Sequence, residues 1–137
     1  MIIVFADTCY WVALLNPKDA WYEAAISIGT SLSPLKIITT DEVLTEVLTS
    51  YCNAGFRMRK RSTDLVHDVL NNTKTQVLEQ THTSFLSGLS LYQNRLDKGY
   101  SLTDCISMQT MRQLGITEVL THDKHFTQEG FVILLTD

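Results

Sequence analysis

Residues 2–5 read Ile-Ile-Val-Phe, an unbroken apolar run that stops at Asp7. A half-exposed strand alternates apolar with polar side chains, so a continuous run predicts a strand buried on both faces, as in a parallel sheet covered by helices. Parallel neighbours need crossover connections, and the chain supplies them. Residues 8–15 read as a short helix (Tyr10, Trp11, Leu14, Leu15) stopped by Asn16-Pro17, and a second helix starts near Lys18 with Trp21, Ala24, Ala25 and Ile28 at helical spacing. A loop follows at 31–34, then a strand at 35–39.

Thr39 and Glu42 have capping-box spacing for a helix running to about Asn53, with Val43, Leu44, Val47, Leu48 and Tyr51 as its apolar stripe. Asn53-Ala54-Gly55 breaks the chain before a helix carrying Leu65, Val66, Val69 and Leu70. A turn at 71–74 leads to a third, marginal strand at 75–79. The next helix carries Phe85, Leu86, Leu89, Tyr92 and Leu96 and closes at Lys98-Gly99. Ser101 with Asp104 three positions on is an acidic capping box; it opens a helix with Cys105, Ile106, Met108 and Met111 as core, ended by Gly115. Short strands are expected at 118–121 and, buried, at 131–135. The expected fold is α/β, a three-layer arrangement with a central parallel sheet of about four to five strands flanked by helices.

With 137 residues, 45% of them hydrophobic and 19% charged, the chain 1–137 suits one domain that needs neither disulfides nor a structural metal. Cys9, Cys52 and Cys105 are odd in number and lack CxxC spacing, so they read as small apolar residues of a reducing compartment. No stretch approaches the ~18 apolar residues of a membrane span, and the opening run is too short for a signal sequence. The expectation is a cytoplasmic protein without a membrane partner. A net charge of −4 argues against nucleic-acid binding through a broad basic surface, but not against acids concentrated at a metal site.

Those acids fall at telling places. Asp7 follows the first strand, and Asp123 lies just beyond the strand at 118–121, at the edge where open α/β sheets bind ligands. Asp104 and Glu46 can join them from the N-terminal halves of helices on the same side. Each has a plainer reading when taken alone. Capping accounts for Asp104, a turn for Asp123, and Glu46, roughly 130° off its helix's apolar stripe, could be an ordinary solvated glutamate. Together, four carboxylates without clustered histidines or thiolates select a hard divalent cation, Mg²⁺ or Mn²⁺. Such carboxylates repel one another unless a cation neutralises them. The one basic cluster, Arg57, Arg59, Lys60 and Arg61, is either a solvated helix face or a phosphate-contacting rim.

The strand ending in Asp7-Thr8, the helical Glu46, Tyr100-Ser101-Leu102-Thr103-Asp104 and Thr121-His122-Asp123-Lys124-His125-Phe126 together resemble the PIN-domain ribonucleases, in particular the small toxins of VapBC-type toxin-antitoxin pairs. The resemblance runs the length of the chain, and its last two motifs are the specific ones. It implies an acidic Mg²⁺ or Mn²⁺ pocket of Asp7, Glu46, Asp104 and Asp123, and endonucleolytic cleavage of structured RNA (tRNA, rRNA or mRNA). It further implies hydroxyls at Thr8 and Thr121 beside the pocket, a homodimer, and a small antitoxin whose tail occupies the acidic groove; Asp97 is either an auxiliary acid or only a cap at the exit of the preceding helix.

A haloacid-dehalogenase-type phosphatase would need a second Asp at position 9, which is Cys, and a receiver domain would need adjacent early acids, where Asp7 has Ala6 and Thr8. The alternatives that stay open are a PIN-like module that binds RNA or protein without cutting, and a PIN nuclease of RNA processing.

Overall fold

The computed structural model describes residues 1–32 and 35–136. In chain order the elements are β1 (Ile2–Ala6), α1 (Thr8–Leu15), α2 (Tyr22–Ser31), β2 (Leu35–Thr40), α3 (Asp41–Ser50), α4 (Phe56–Asn71), β3 (Thr75–Leu78), α5 (His82–Gln93), α6 (Leu102–Leu114), β4 (Glu118–Leu120), α7 (His125–Gln128) and β5 (Val132–Ile133). The five strands form one wholly parallel sheet in the order β3-β2-β1-β4-β5. β1 is central, with Phe5 opposite Ile38 on one side and Val119 on the other. The chain winds outward from β1 through β2 to β3, then returns to β4 and β5 on the opposite side. The order therefore reverses between β1 and β4, the position where parallel sheets open a crevice at their carboxyl ends.

Burial of β1 is less complete than its composition suggests. Val4, Phe5 and Ala6 are fully buried, but Ile2 and Ile3 pair with Leu35 and Lys36 at the amino edge of the sheet and stay largely exposed. α2 begins at Tyr22, not near Lys18, because residues 16–21 are taken up by turns in which Asn16 and Asp19 accept backbone hydrogen bonds. Of the loop expected at 31–34, Ser31 is still helical, and residues 33 and 34 lie outside the described residues. The cap of α3 moves by one position. Thr40 accepts from Val43 N, while Thr39 is buried and donates its hydroxyl to Ala6 O, stitching β2 to β1. The capping box at Ser101 and Asp104 forms with both of its hydrogen bonds, and Gly115 ends α6 in the left-handed region. β5 is a two-residue edge strand in place of a buried strand over 131–135; Phe131 and Leu135 reach the core and Val132 is exposed.

α5 turns a different face inward from the one its large side chains mark out. Gly88 and Leu91 are the buried residues, whereas Phe85, Leu86, Leu89 and Tyr92 are exposed, as is Leu96 beyond the helix end. A Cβ at Gly88 would press on Ile106 Cγ1 and stand 3.1 and 3.2 Å from Ile106 N and Cα. α5 and α6 thus touch closest where α5 has no side chain. Gly88→Ala is expected to cost about 2 kcal/mol net, an overpacking penalty of roughly 3 offset by about 1 of helix propensity, read as a fall in melting temperature.

Candidate metal centre

Asp7, Thr8, Cys9, Val12, Glu46, Ser50, Asp104, His122, Asp123 and Lys124 line an open cleft of about 570 Å³ at the carboxyl ends of β1 and β4. The topology delivers each acid. Asp7 leaves the end of β1 with its N–H bonded to Leu120 O; Asp104 sits in the first turn of α6; Asp123 follows β4; Glu46 projects from the middle of α3. Glu46 is held there by the Thr8 hydroxyl, which donates to its Oε1 at 2.6 Å.

Thr121, fully buried, organises the floor. Its hydroxyl donates to Asp7 Oδ2 at 3.0 Å and accepts the backbone N–H of Asp123 at 3.1 Å. Cys9 Sγ lies 2.9 Å from the same oxygen. A hydroxyl has one proton to give, so donation to Asp7 leaves Cys9 as the donor to Thr121. Cys9 is therefore a polar member of the site; burial, then the charge of Asp7, pushes its thiol up to about 12.

Asp7 is only 4% exposed, and its Oδ1 has no hydrogen-bond partner. Burial first, then the neighbouring charge of Asp104, pushes its carboxyl from the ordinary 3.8 to about 7, against hydrogen bonds from the Thr8 backbone and the Thr121 hydroxyl. Asp104 is raised too, by burial and by Asp123 and Glu46, although Ser101 N–H donates to it. Asp104, Asp123 and His125 each place a donor atom within 4.8 Å of the others. An unsatisfied buried carboxylate oxygen, raised carboxyls and a hard oxygen donor set fit a divalent cation, which would relieve the repulsion that the protein alone leaves.

Not every residue marked in the sequence enters this cleft. Asp97 does not line it; its carboxylate is 3.7 Å from Lys98 Nζ beyond the end of α5. The basic cluster lies on the first turns of α4, where Arg59 donates to Cys52 O and Lys60 pairs with Asp64. The sequence reading gave no role to Cys9, His122, Lys124 or His125. His125 had a usable signal: an Asp commonly bonds the backbone two residues on, which sets residue 125 beside the carboxylate of Asp123. His125 N–H does donate to Asp123 Oδ1, at 2.9 Å.

Behind the cleft, Glu129 was also unmarked. It accepts from Arg95 Nε at 2.9 Å, Arg112 Nη2 at 2.7 Å and the Tyr100 hydroxyl at 2.9 Å, tying the loop before α6 to the end of α7. Burial pushes its carboxyl up, but these three donors outweigh it and hold it at about 2. A carboxyl held below its ordinary 4.5 stabilises the fold above that value and loses the contribution as pH falls from about 4.5 through 2. Glu129→Ala is expected to cost about 2–3 kcal/mol at pH 7 and almost nothing at pH 2, read from denaturation midpoints at both pH values.

The sequence pattern of the PIN domain matches residues 4–131. The chain belongs to the PIN domain family. A curated relative, the 23S rRNA-specific endonuclease VapC20 of Mycobacterium tuberculosis, is 28% identical over 133 residues, covering 95% of this chain and 96% of its own. The crystal structure of that protein, described as a sarcin–ricin loop cleaving toxin, superposes with this PIN domain at a TM-score of 0.85 and 25% identity, covering 94% of this chain and 96% of the other. The PIN fold extends to VapBC2 of Rickettsia felis, solved bound to a DNA fragment from its promoter. There the TM-score is 0.66 at 12% identity, over 96% of this chain and 97% of the other. No helix among the described residues of this PIN domain is long and apolar enough to cross a membrane.

Proposed function

We propose that this PIN domain is a divalent-metal-dependent endoribonuclease that hydrolyses RNA phosphodiester bonds, and that it is the toxin of a VapBC-type pair acting in the cytoplasm. The observation that carries the reading is the buried, unpartnered Oδ1 of Asp7 in a cleft shared with Asp104, Asp123 and Glu46. It is joined by an end-to-end likeness to a curated 23S rRNA-specific endonuclease.

In this reading Asp7, Glu46, Asp104 and Asp123 hold Mg²⁺ or Mn²⁺ from the protein side. The bound cation would supply an activated water and neutralise charge developing on the leaving oxygen. Thr121 keeps Asp7 Oδ2 fixed, leaving Oδ1 free for the ion, and Thr8 fixes Glu46. Asp7, protonated to about pH 7 in the metal-free cleft, gives up that proton when a cation binds. Asp97, outside the cleft, has no part in this arrangement.

RNA needs cations as well. Among the described residues Arg57 and Arg61 make no salt bridge or side-chain hydrogen bond, whereas Arg59 and Lys60 are engaged within the protein. The phosphate-gripping rim is therefore assigned to Arg57 and Arg61, with Lys124 at the cleft itself. Replacing both arginines by glutamate is expected to lower kcat/KM on RNA by about 10–100-fold and to flatten its dependence on salt, with the melting temperature unchanged.

The substrate proposed is 23S rRNA at its sarcin–ricin loop, the loop named for the relative. A homodimer belongs to the same reading, its support being the exposed apolar row Phe85, Leu86, Leu89 and Tyr92 on α5. A small antitoxin is proposed to reach the acidic cleft. The test is incubation of purified, partner-free protein with ribosomal RNA and with a tRNA pool in Mn²⁺, cuts being mapped by primer extension. One cut within the sarcin–ricin loop is expected. Discrete cuts elsewhere would overturn the substrate while keeping the nuclease, and intact RNA throughout would leave a binding module.

A further inference from the structure

Asp104 and Asp123 line the cleft, and beside them, buried just off its wall, stands a third donor that is a nitrogen. His125 Nδ1 lies 3.4 Å from Asp123 Oδ1 and 3.9 Å from Asp104 Oδ2. The plain alternative is an ion pair between an imidazolium and two carboxylates. That pair would bring N–H to O at about 2.7–3.2 Å, yet Nδ1 is buried and makes no hydrogen bond at all. Donors sharing a first-row cation at bonds of about 2.0–2.2 Å stand roughly 3.3–3.6 Å apart in a tetrahedron, and roughly 2.8–3.1 Å (cis) or 4.0–4.4 Å (trans) in an octahedron. The 3.4 Å separation matches a tetrahedral edge, and the 3.9 Å one is a few tenths of an ångström wider, a gap that a small shift of the Asp104 side chain would close. Asp7, 4% exposed and with Oδ1 unpartnered, faces the same cleft and supplies an independent sign that a ligand belongs there.

The imidazole is also held in place. Tyr100 packs edge-on against it, with ring centroids 5.3 Å apart at 65°. A Cβ at Gly99 would stand only 3.6 Å from its Cε1 and Nε2. Its backbone N–H is bonded to Asp123 Oδ1. Such fixing is what a ligating histidine needs in order to aim its lone pair.

We infer that His125 Nδ1, with Asp104 and Asp123, forms a two-oxygen, one-nitrogen seat that makes this centre prefer Mn²⁺ to Mg²⁺. The inference rests on the metal-centre reading above and deepens it. Mg²⁺ takes oxygen donors and keeps its waters, whereas a first-row transition cation gains from an imidazole.

The test titrates the full chain with Mn²⁺ and with Mg²⁺ by calorimetry and records pulsed EPR of the Mn²⁺-loaded protein. His125→Phe keeps a ring against Tyr100 and removes the nitrogen; His122→Gln removes the imidazole that lines the cleft. Directly coupled ¹⁴N is expected in the parent and in His122→Gln and absent from His125→Phe. The latter should bind Mn²⁺ at least tenfold more weakly, with Mg²⁺ affinity within about twofold of the parent. Absence of nitrogen coupling in the parent overturns the inference without needing any variant, as does coupling that persists in His125→Phe or an equal loss of both ions. Parent Mn²⁺ binding abolished by Asp104→Asn but lacking ¹⁴N would leave the metal centre standing and remove His125 from it. Failure of the parent to bind either ion would remove both.

Discussion

Asp7→Asn is expected to lower RNA cleavage by about 10³-fold or more and, in the same protein, to raise the melting temperature in EDTA above pH 7. Both effects come from one carboxyl. Removing a charged ligand from a catalytic cation forfeits several kcal/mol of transition-state stabilisation, and ~4 kcal/mol corresponds to about a thousandfold in rate. Stability moves the other way because the metal-free cleft disfavours the charge. The Asp7 carboxyl sits at about 7, above its ordinary 3.8, chiefly through burial and then through Asp104. A carboxyl raised by folding contributes fully below the unfolded value and loses that contribution as pH rises through about 7. The metal-free parent should therefore weaken between about pH 4 and pH 8 by on the order of 3 kcal/mol from this group. Asparagine has no charge to bury. Its advantage should be roughly 5–10 °C at pH 8 and should vanish near pH 4, measured by calorimetry in EDTA. An equal difference at both pH values would show that Asp7 is not the strained group.

Asp104 separates chemistry from architecture. Its Oδ2 accepts Ser101 N–H within the capping box of α6, and the same side chain has a donor atom within 4.8 Å of those of Asp123 and His125. Asp104→Asn keeps an oxygen for the cap and removes the charge; Asp104→Ala removes both. Cleavage is expected to fall by about 10²–10³-fold in each, whereas stability should drop by about 1 kcal/mol more in the alanine variant. If the asparagine variant cut RNA at the parental rate while the alanine variant did not, Asp104 would be a cap and nothing else.

Much of this site was legible because its acids occupy positions that topology controls. An unbroken apolar run ending in Asp7, and a short strand followed by Asp123, point to one sheet edge once the strands are parallel, and β1 and β4 are adjacent in the sheet. What the sequence hid follows from how periodicity works. Apolar spacing on α5 marks large side chains, yet the buried face centres on Gly88, where the absence of a side chain lets Ile106 approach. Thr39 and Thr40 are equally good caps by composition, and only the strand pairing decides which one bonds Ala6. Cys9 passed as a small apolar residue because its partner, Thr121, is 112 positions away. Glu129 gathers Arg95, Tyr100 and Arg112 from three separate segments, and no local pattern announces that. Asp97 misled by being an acid near the right motif; its side chain is exposed and paired with Lys98.

The most direct test of the account is cleavage of ribosomal RNA by the purified chain in Mn²⁺, in Mg²⁺ and in EDTA, beside Asp7→Asn in each. Discrete fragments that need both a divalent cation and Asp7, and that disappear in EDTA, are the expected result. Cleavage that continues in EDTA, or that Asp7→Asn performs at the parental rate, would contradict a metal centre built on these four acids.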